Sequence, residues 1–171
     1  GKVKTEEDKE KNSLAIVAAH LQELVDTKVI FAKQPRSLYL SGKIDEMNPG
    51  EILVLENTRF EDVPNKLESG NDMQLAMYWA ELADIYCLDA FGSAHRKHAS
   101  TYGVAKLLPN AIGFLIEKEL EIIVGTIENP KRPFVGILGG AKVKDKIGII
   151  ESLLDTVDTL IIGGGMAYTF L

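Results

Sequence analysis

Glu51-Ile52-Leu53-Val54-Leu55-Glu56-Asn57-Thr58-Arg59-Phe60 passes from an apolar run into a polar end that carries a base. A strand with one wet face alternates apolar and polar residues. This run does not, so it suits a parallel strand covered on both sides. Val29-Ile30-Phe31-Ala32, closed by Pro35, reads as a strand upstream of it. Residues 84–88, 134–138 and 159–162 read as strands downstream, the last two as buried ones. Helical spacing fills the intervals: Leu14, Val17, Leu21, Leu24 and Val25, then residues 72–82, 101–108, 111–127 and 143–154. Strands alternating with helices predict an α/β fold of parallel sheets flanked by helices. Residues 1–12 read as a solvated charge run, 36–47 show no pattern, and 61–70 form a polar loop. Asn129-Pro130-Lys131-Arg132-Pro133 is the expected domain boundary.

The 171 residues suffice for one domain, at most two. Hydrophobic residues make up 46% and charged residues 26%, which excludes a disordered or fibrous chain. The net charge of −6 supplies no global basic field for nucleic acid, and no nucleic-acid partner is expected. The one cysteine, Cys87, excludes an intramolecular disulfide and a cysteine-based zinc site, and its apolar neighbours predict a buried thiol. No apolar stretch approaches the roughly 18 residues of a membrane span, so no membrane partner is expected. The first residues hold no apolar core of a secretory signal. A reducing, cytoplasmic location follows as the expectation.

In open parallel sheets, ligands bind beyond the carboxyl ends of the strands. Four ends matter: Glu56 to Phe60, Asp89 to His98, Gly139 to Lys146, and Gly163-Gly164-Gly165. Arginine, histidine and lysine gather there in an acidic chain, which points to a phosphate or carboxylate site. Arg59 offers a planar fork of donors for such an anion, or pairs with a surface acid such as Glu61. Arg96 lies between His95 and His98, which assist an anion when protonated or, spaced by three, ligate a metal. His20, on an amphipathic helix, reads as partly buried structure. Lys142 and Lys146 share a helix face, and Gly139-Gly140 lets a ligand approach the backbone. The run lacks the spacing of a P-loop. The three glycines lack the spacing of a dinucleotide fingerprint, which disfavours a doubly wound dehydrogenase.

These strings together resemble the phosphoglycerate kinase family. They are Glu56 to Phe60, Asp89 to Ser100, Gly139 to Ile147 and Ile161 to Phe170, in the family's order. The resemblance implies a Rossmann-like fold with parts of two domains joined by a long helix. Residues 1–112 would belong to the phosphoglycerate-binding domain, 113–127 to the connecting helix, and 128–171 to the opening of the nucleotide domain. The implied reaction is glycolytic: reversible phosphoryl transfer from 1,3-bisphosphoglycerate to ADP-Mg, giving 3-phosphoglycerate and ATP. The resemblance makes Arg59 and Arg96 ligands of the 3-phosphate, with Gly92 and His95 shaping that pocket. It makes Lys142 the residue that stabilises the transferring phosphoryl group and Lys146 a nucleotide-phosphate ligand. Gly140, Ala141, Gly163 and Gly164 would wall the adenine.

Some family motifs are absent from these 171 residues. They are the Asp-Phe-Asn motif with its following arginine, the His-Leu-Gly-Arg-Pro string, the late glycine-rich phosphate loop and the magnesium-ligating aspartate. Thr58 and Leu88 also depart from the family pattern. The chain starts at Gly1 and stops at Leu171 inside a predicted helix. The expectation is a central portion of the enzyme, inactive by itself and holding no metal ligand. The family is usually monomeric, whereas exposed sheet edges favour self-association of this chain. The competing reading is a non-catalytic nucleotide- or anion-binding module of the same fold.

Overall fold

The computed structural model describes residues 2–140 and 143–171. Short helices α1 (Glu7–Lys11) and α2 (Ala15–Leu24) lead into β1 (Val29–Ala32), α3 (Leu40–Asp45) and β2 (Ile52–Leu55). Next come α4 (Met73–Ala80), β3 (Tyr86–Leu88), α5 (Phe91–Ala94), β4 (Asn110–Ile112) and α6 (Phe114–Glu128). The chain closes with β5 (Val135–Gly139), α7 (Ile147–Leu154), β6 (Thr159–Gly163) and α8 (Ala167–Phe170). The chain divides into two compact units, residues 1–116 and 117–171.

Each strand pairs in parallel with one partner: β1 with β2, β3 with β4, β5 with β6. The registers align Val29 with Ile52, Tyr86 with Asn110 and Val135 with Thr159. In the first unit the core gathers around α4. Leu75, Ala76, Trp79 and Ala80 pack with Ala99 and Val104. Asp72 starts α4 by accepting the Leu75 N–H at 2.8 Å, a side-chain N-cap. The Trp79 indole N–H donates to the Pro35 carbonyl at 2.7 Å, and the Tyr78 hydroxyl donates to the Ser37 carbonyl at 2.8 Å. The burial of Trp79 is therefore compatible with its polar edge.

The second unit opens on a lock. Arg132 Nη1 lies 2.9 Å from Asp158 Oδ1, and Asp158 Oδ2 accepts the Phe134 N–H at 2.6 Å. Among its described residues, Ile150 and Met166 are the buried apolar ones. No helix among the described residues is long and apolar enough to cross a membrane.

Several expectations are corrected. The opening charge run is not wholly solvated, since it contains α1 and buries Val3. The patternless stretch contains α3, whose Leu40 is 1% exposed. The helix expected from 111 starts later. Residues 110–112 pair with β3, and Asp89 Oδ1 accepts the Leu115 and Ile116 N–H groups at 2.8 and 3.1 Å, fixing the start of α6. The helix expected from 143 begins as a 3-10 turn, Lys144–Lys146. β5 is not buried on both faces: its residues alternate, and Ile137 is 78% exposed. Alternation sends successive side chains to opposite faces, so a strand covered on one side keeps every second residue wet. The same geometry exposes Cys87 between the half-buried Tyr86 and Leu88. His20 is also exposed, with Nδ1 3.0 Å from Glu23 Oε2 on the next turn of α2.

Candidate functional site

The carboxyl end of β2 is built on a buried acid. Glu56 accepts the Ser13 hydroxyl at 2.5 Å, the Leu14 N–H at 2.7 Å and the Asn57 N–H at 2.6 Å. The start of α2 is thereby tied to the strand end. Asn57 Oδ1 accepts the Arg59 N–H at 3.0 Å and caps the 3-10 turn Thr58–Asp62. Arg59 Nε then lies 2.6 Å from Asp62 Oδ2, while Asp62 Oδ1 accepts the Ser69 N–H at 2.7 Å. Of the two readings of Arg59, the ion pair with an acid is present, but with Asp62 rather than Glu61. Glu61 pairs with Arg36 at 2.8 Å, and one helical turn brings Asp62 rather than its neighbour to Arg59.

Arg96 follows α5, and its side chain is exposed. Its carbonyl accepts the His98 N–H at 3.0 Å and the Thr101 hydroxyl at 2.7 Å. Arg59, Arg96 and His98 line one cleft of about 440 Å3, together with Lys2, Lys4, Lys66 and Asp62. An adjoining cleft of about 350 Å3 shares Lys2, Arg59, Arg96 and His98, and adds Thr58, Glu68, Ser93 and Ser100. The bases outnumber the acids on these walls, a potential suited to an anion. Burial depresses the His98 pKa below its ordinary value. Glu68 opposes that shift, Arg59 and Arg96 reinforce it, and Asp62 opposes it. Gly92 and His95 are exposed and line neither cleft.

Sequence reasoning missed Lys2, Lys4, Lys66, Asp62 and Glu68. The lysines sit in stretches read as solvated, and alternating charge was their only signal. The acids lay in a polar loop whose buried side chains nothing in the local pattern marks. Among the described residues no group of three or more His, Cys, Asp or Glu is placed to hold a metal ion.

In the second unit, the carboxyl ends of β5 and β6 meet. Gly139 aligns with Gly163, and the Met166 N–H donates to the Gly140 carbonyl at 2.9 Å. Gly164 has φ +67°, a left-handed conformation that glycine adopts without a Cβ penalty. A Cβ at Gly140 would lie 3.3 Å from Lys146 Nζ and 3.5 Å from Met166 Sδ. Bare backbone and one ammonium are thus brought together, as a phosphate-bearing planar ligand requires. Ala141 and Lys142 lie outside the described residues.

Known proteins resemble this chain over its whole length. The family model described as phosphoglycerate kinase matches residues 1–171. The phosphoglycerate kinase of Macrococcus caseolyticus is 58% identical over 171 residues, and that of Listeria welshimeri 56%. Both alignments take in 100% of this chain and 43% of the relative, so the chain spans less than half the length of the curated relatives it matches. The solved phosphoglycerate kinase of Coxiella burnetii is 38% identical and superposes with a TM-score of 0.78, covering 100% of this chain and 41% of its own. That of Pyrococcus horikoshii is 32% identical with a TM-score of 0.75, covering 92% and 40%.

Proposed function

The chain belongs to the phosphoglycerate kinase family, and on that premise we propose that it contributes the 3-phosphate site and the first part of the nucleotide site for phosphoryl transfer between 1,3-bisphosphoglycerate and ADP. The observation that carries this reading is the convergence of Arg59, Arg96 and His98 on one cleft. The sequence places Arg59 far from Arg96 and His98, and although Arg59 is paired with Asp62, the Arg96 side chain stands exposed on the cleft wall. Residues 1–112 act as the phosphoglycerate-binding part, 113–127 as the connecting helix, and 128–171 as the opening of the nucleotide-binding part.

Phosphoryl transfer asks little covalent work of the protein. It asks for positioning and for positive charge where negative charge spreads in the transition state. Arg59 and Arg96 hold the non-reacting phosphate and orient the sugar acid. Gly92 and His95, which line neither cleft, belong to the segment that carries Arg96 to it. Lys142 stabilises the phosphoryl group in transit, a role given by the family resemblance. Lys146 neutralises a nucleotide phosphate, while Gly140, Ala141, Gly163 and Gly164 present backbone to the base. The open backbone at Gly163, where an added Cβ would meet nothing within 4 Å, supports the fit of a nucleotide. Among the described residues no group of three or more His, Cys, Asp or Glu is placed to hold magnesium. The cytoplasm suits a glycolytic reaction of this kind.

Without the remaining motifs the 171-residue chain binds but does not turn over. Titration calorimetry with 3-phosphoglycerate tests the reading. Binding by the chain, weakened roughly tenfold or more by Arg59→Ala and by Arg96→Ala, is the expected result. Binding that survives both substitutions places the phosphate elsewhere. Sustained ATP formation from 1,3-bisphosphoglycerate and ADP by the chain alone overturns the expectation of inactivity.

A further inference from the structure

Behind the cationic cleft lies a carboxylate that the proposed reaction does not use. Glu68 is 1% exposed. A buried carboxylate must find donors in place of water. The Ser100 N–H donates to Oε2 at 3.0 Å, and the Ser100 hydroxyl donates to Oε1. The Thr58 hydroxyl reaches Oε1 at 3.4 Å, and His98 Nδ1 lies 3.7 Å from the same oxygen. The Glu68 carbonyl also accepts the Ala99 N–H at 2.9 Å.

These bonds join two segments far apart in sequence. Thr58 is the neighbour of Arg59. Residues 98–101 are tied to Arg96, whose carbonyl accepts from His98 and Thr101. Glu68 is the side chain that reaches both. Resting on the anion-site reading, we propose that Glu68 is the positioning residue of the cleft: its buried carboxylate sets Arg59 against Arg96 and supplies the counter-charge that lets His98 accept a proton when a phosphate enters.

The charge distribution around the imidazole supports this. Glu68 and Asp62 favour the protonated ring, while Arg59, Arg96 and burial oppose it. A bound phosphate neutralises the two arginines and leaves Glu68 on one side and its own charge on the other. The His98 pKa therefore rises on binding, and the complex takes up a proton from solvent. The competing role is purely structural, with Glu68 as an acceptor that caps the Ala99–Gly103 turn. An amide oxygen at the same place would serve that role as well, so charge separates the two.

Glu68→Gln keeps the shape and removes the charge. The measurement is calorimetry of 3-phosphoglycerate and of inorganic phosphate in two buffers of different ionisation enthalpy, from about pH 5.5 to 8. It is paired with NMR titration of the His98 ring. The expected wild-type result is proton uptake on binding near neutral pH. In Glu68→Gln, His98 titrates about one unit lower, uptake moves to more acid pH, and affinity near pH 7 falls about tenfold. Ser100→Ala, which keeps the charge, leaves the His98 titration in place.

Wild-type titration and uptake in a folded Glu68→Gln overturn the proposal and leave the anion site standing. If Glu68→Gln does not fold, the wild-type ring decides: a His98 pKa that fails to rise with saturating 3-phosphoglycerate overturns it. A wild-type chain that binds neither anion overturns the site reading itself, and this inference with it.

Discussion

At the end of β2, Arg59 sits among three buried acids that fix its surroundings: Glu56 ties α2 to the strand, Asp62 holds the guanidinium, and Glu68 ties in residues 98–100. At the ends of β5 and β6, the candidate ligand surface is backbone, open at Gly163, with Lys146 packed against Gly140. The first unit pre-organises charge through side-chain networks. The second offers glycine backbone and, among the described residues, the Lys146 ammonium beside it. The difference follows what each would bind. A compact phosphate rewards fixed bidentate donors, whereas a flat base rewards an open surface. It follows size as well. A unit of about fifty residues cannot bury a large core alone. Its exposed Ile137, Ile149 and Ile161 stand against the closed cluster around Leu75.

The comparison is broken most directly by truncating an apolar residue in each unit. Leu75→Ala, at a position 0% exposed, is expected to cost about 2–5 kcal/mol in urea denaturation. Ile137→Ala, at 78% exposure, is expected to stay within about 0.5 kcal/mol. Similar losses at the two sites would mean that the second unit is covered in solution.

Gly164→Ala comes next. With φ at +67° and Gly140 N 3.6 Å from the added carbon, the penalty is conformational rather than a clash, about 1–2 kcal/mol. Hydrogen exchange should show it confined to β5 and β6. Spread into β1 and β2 would contradict the division into two units.

Asp72→Ala removes the α4 cap and is expected to cost about 1 kcal/mol, with Asp72→Asn costing less. Denaturation monitored by Trp79 fluorescence reads both.

The smallest effect is that of pH. His98 has a folded pKa below its unfolded value of 6.5. The folded state then binds fewer protons than the unfolded chain, so acid favours unfolding. The contribution is complete above the unfolded value and is lost as pH falls through the folded one. His98→Gln should flatten that part of the stability profile. A profile unchanged by the substitution would remove His98 as its source.

Much of the architecture was legible because strands in a parallel sheet announce themselves as apolar runs. Residues 29–32 and 51–55 were readable to within one residue of β1 and β2. β4 was not, because three residues, Asn110–Ile112, continue smoothly into the periodicity of α6 and carry no turn signal before Gly113. Arg59 and Arg96 were legible as bases at strand ends. The partner of Arg59 was not: a helical turn puts the third residue on, Asp62, beside it, and the reading of a polar loop gave no turn.

The sequence by itself determined the alternation of strand and helix, the glycines at the ends of β5 and β6, and the motifs that place the chain in its family. Those are properties of neighbours along the chain, and local spacing records them. Tertiary structure alone decided that Glu68 is buried and that it joins Thr58, 10 positions before it, to Ser100, 32 positions after it. A carboxylate in a polar stretch looks solvated until the fold removes its water. Only then does the need for donors tie the arginine-bearing segments together.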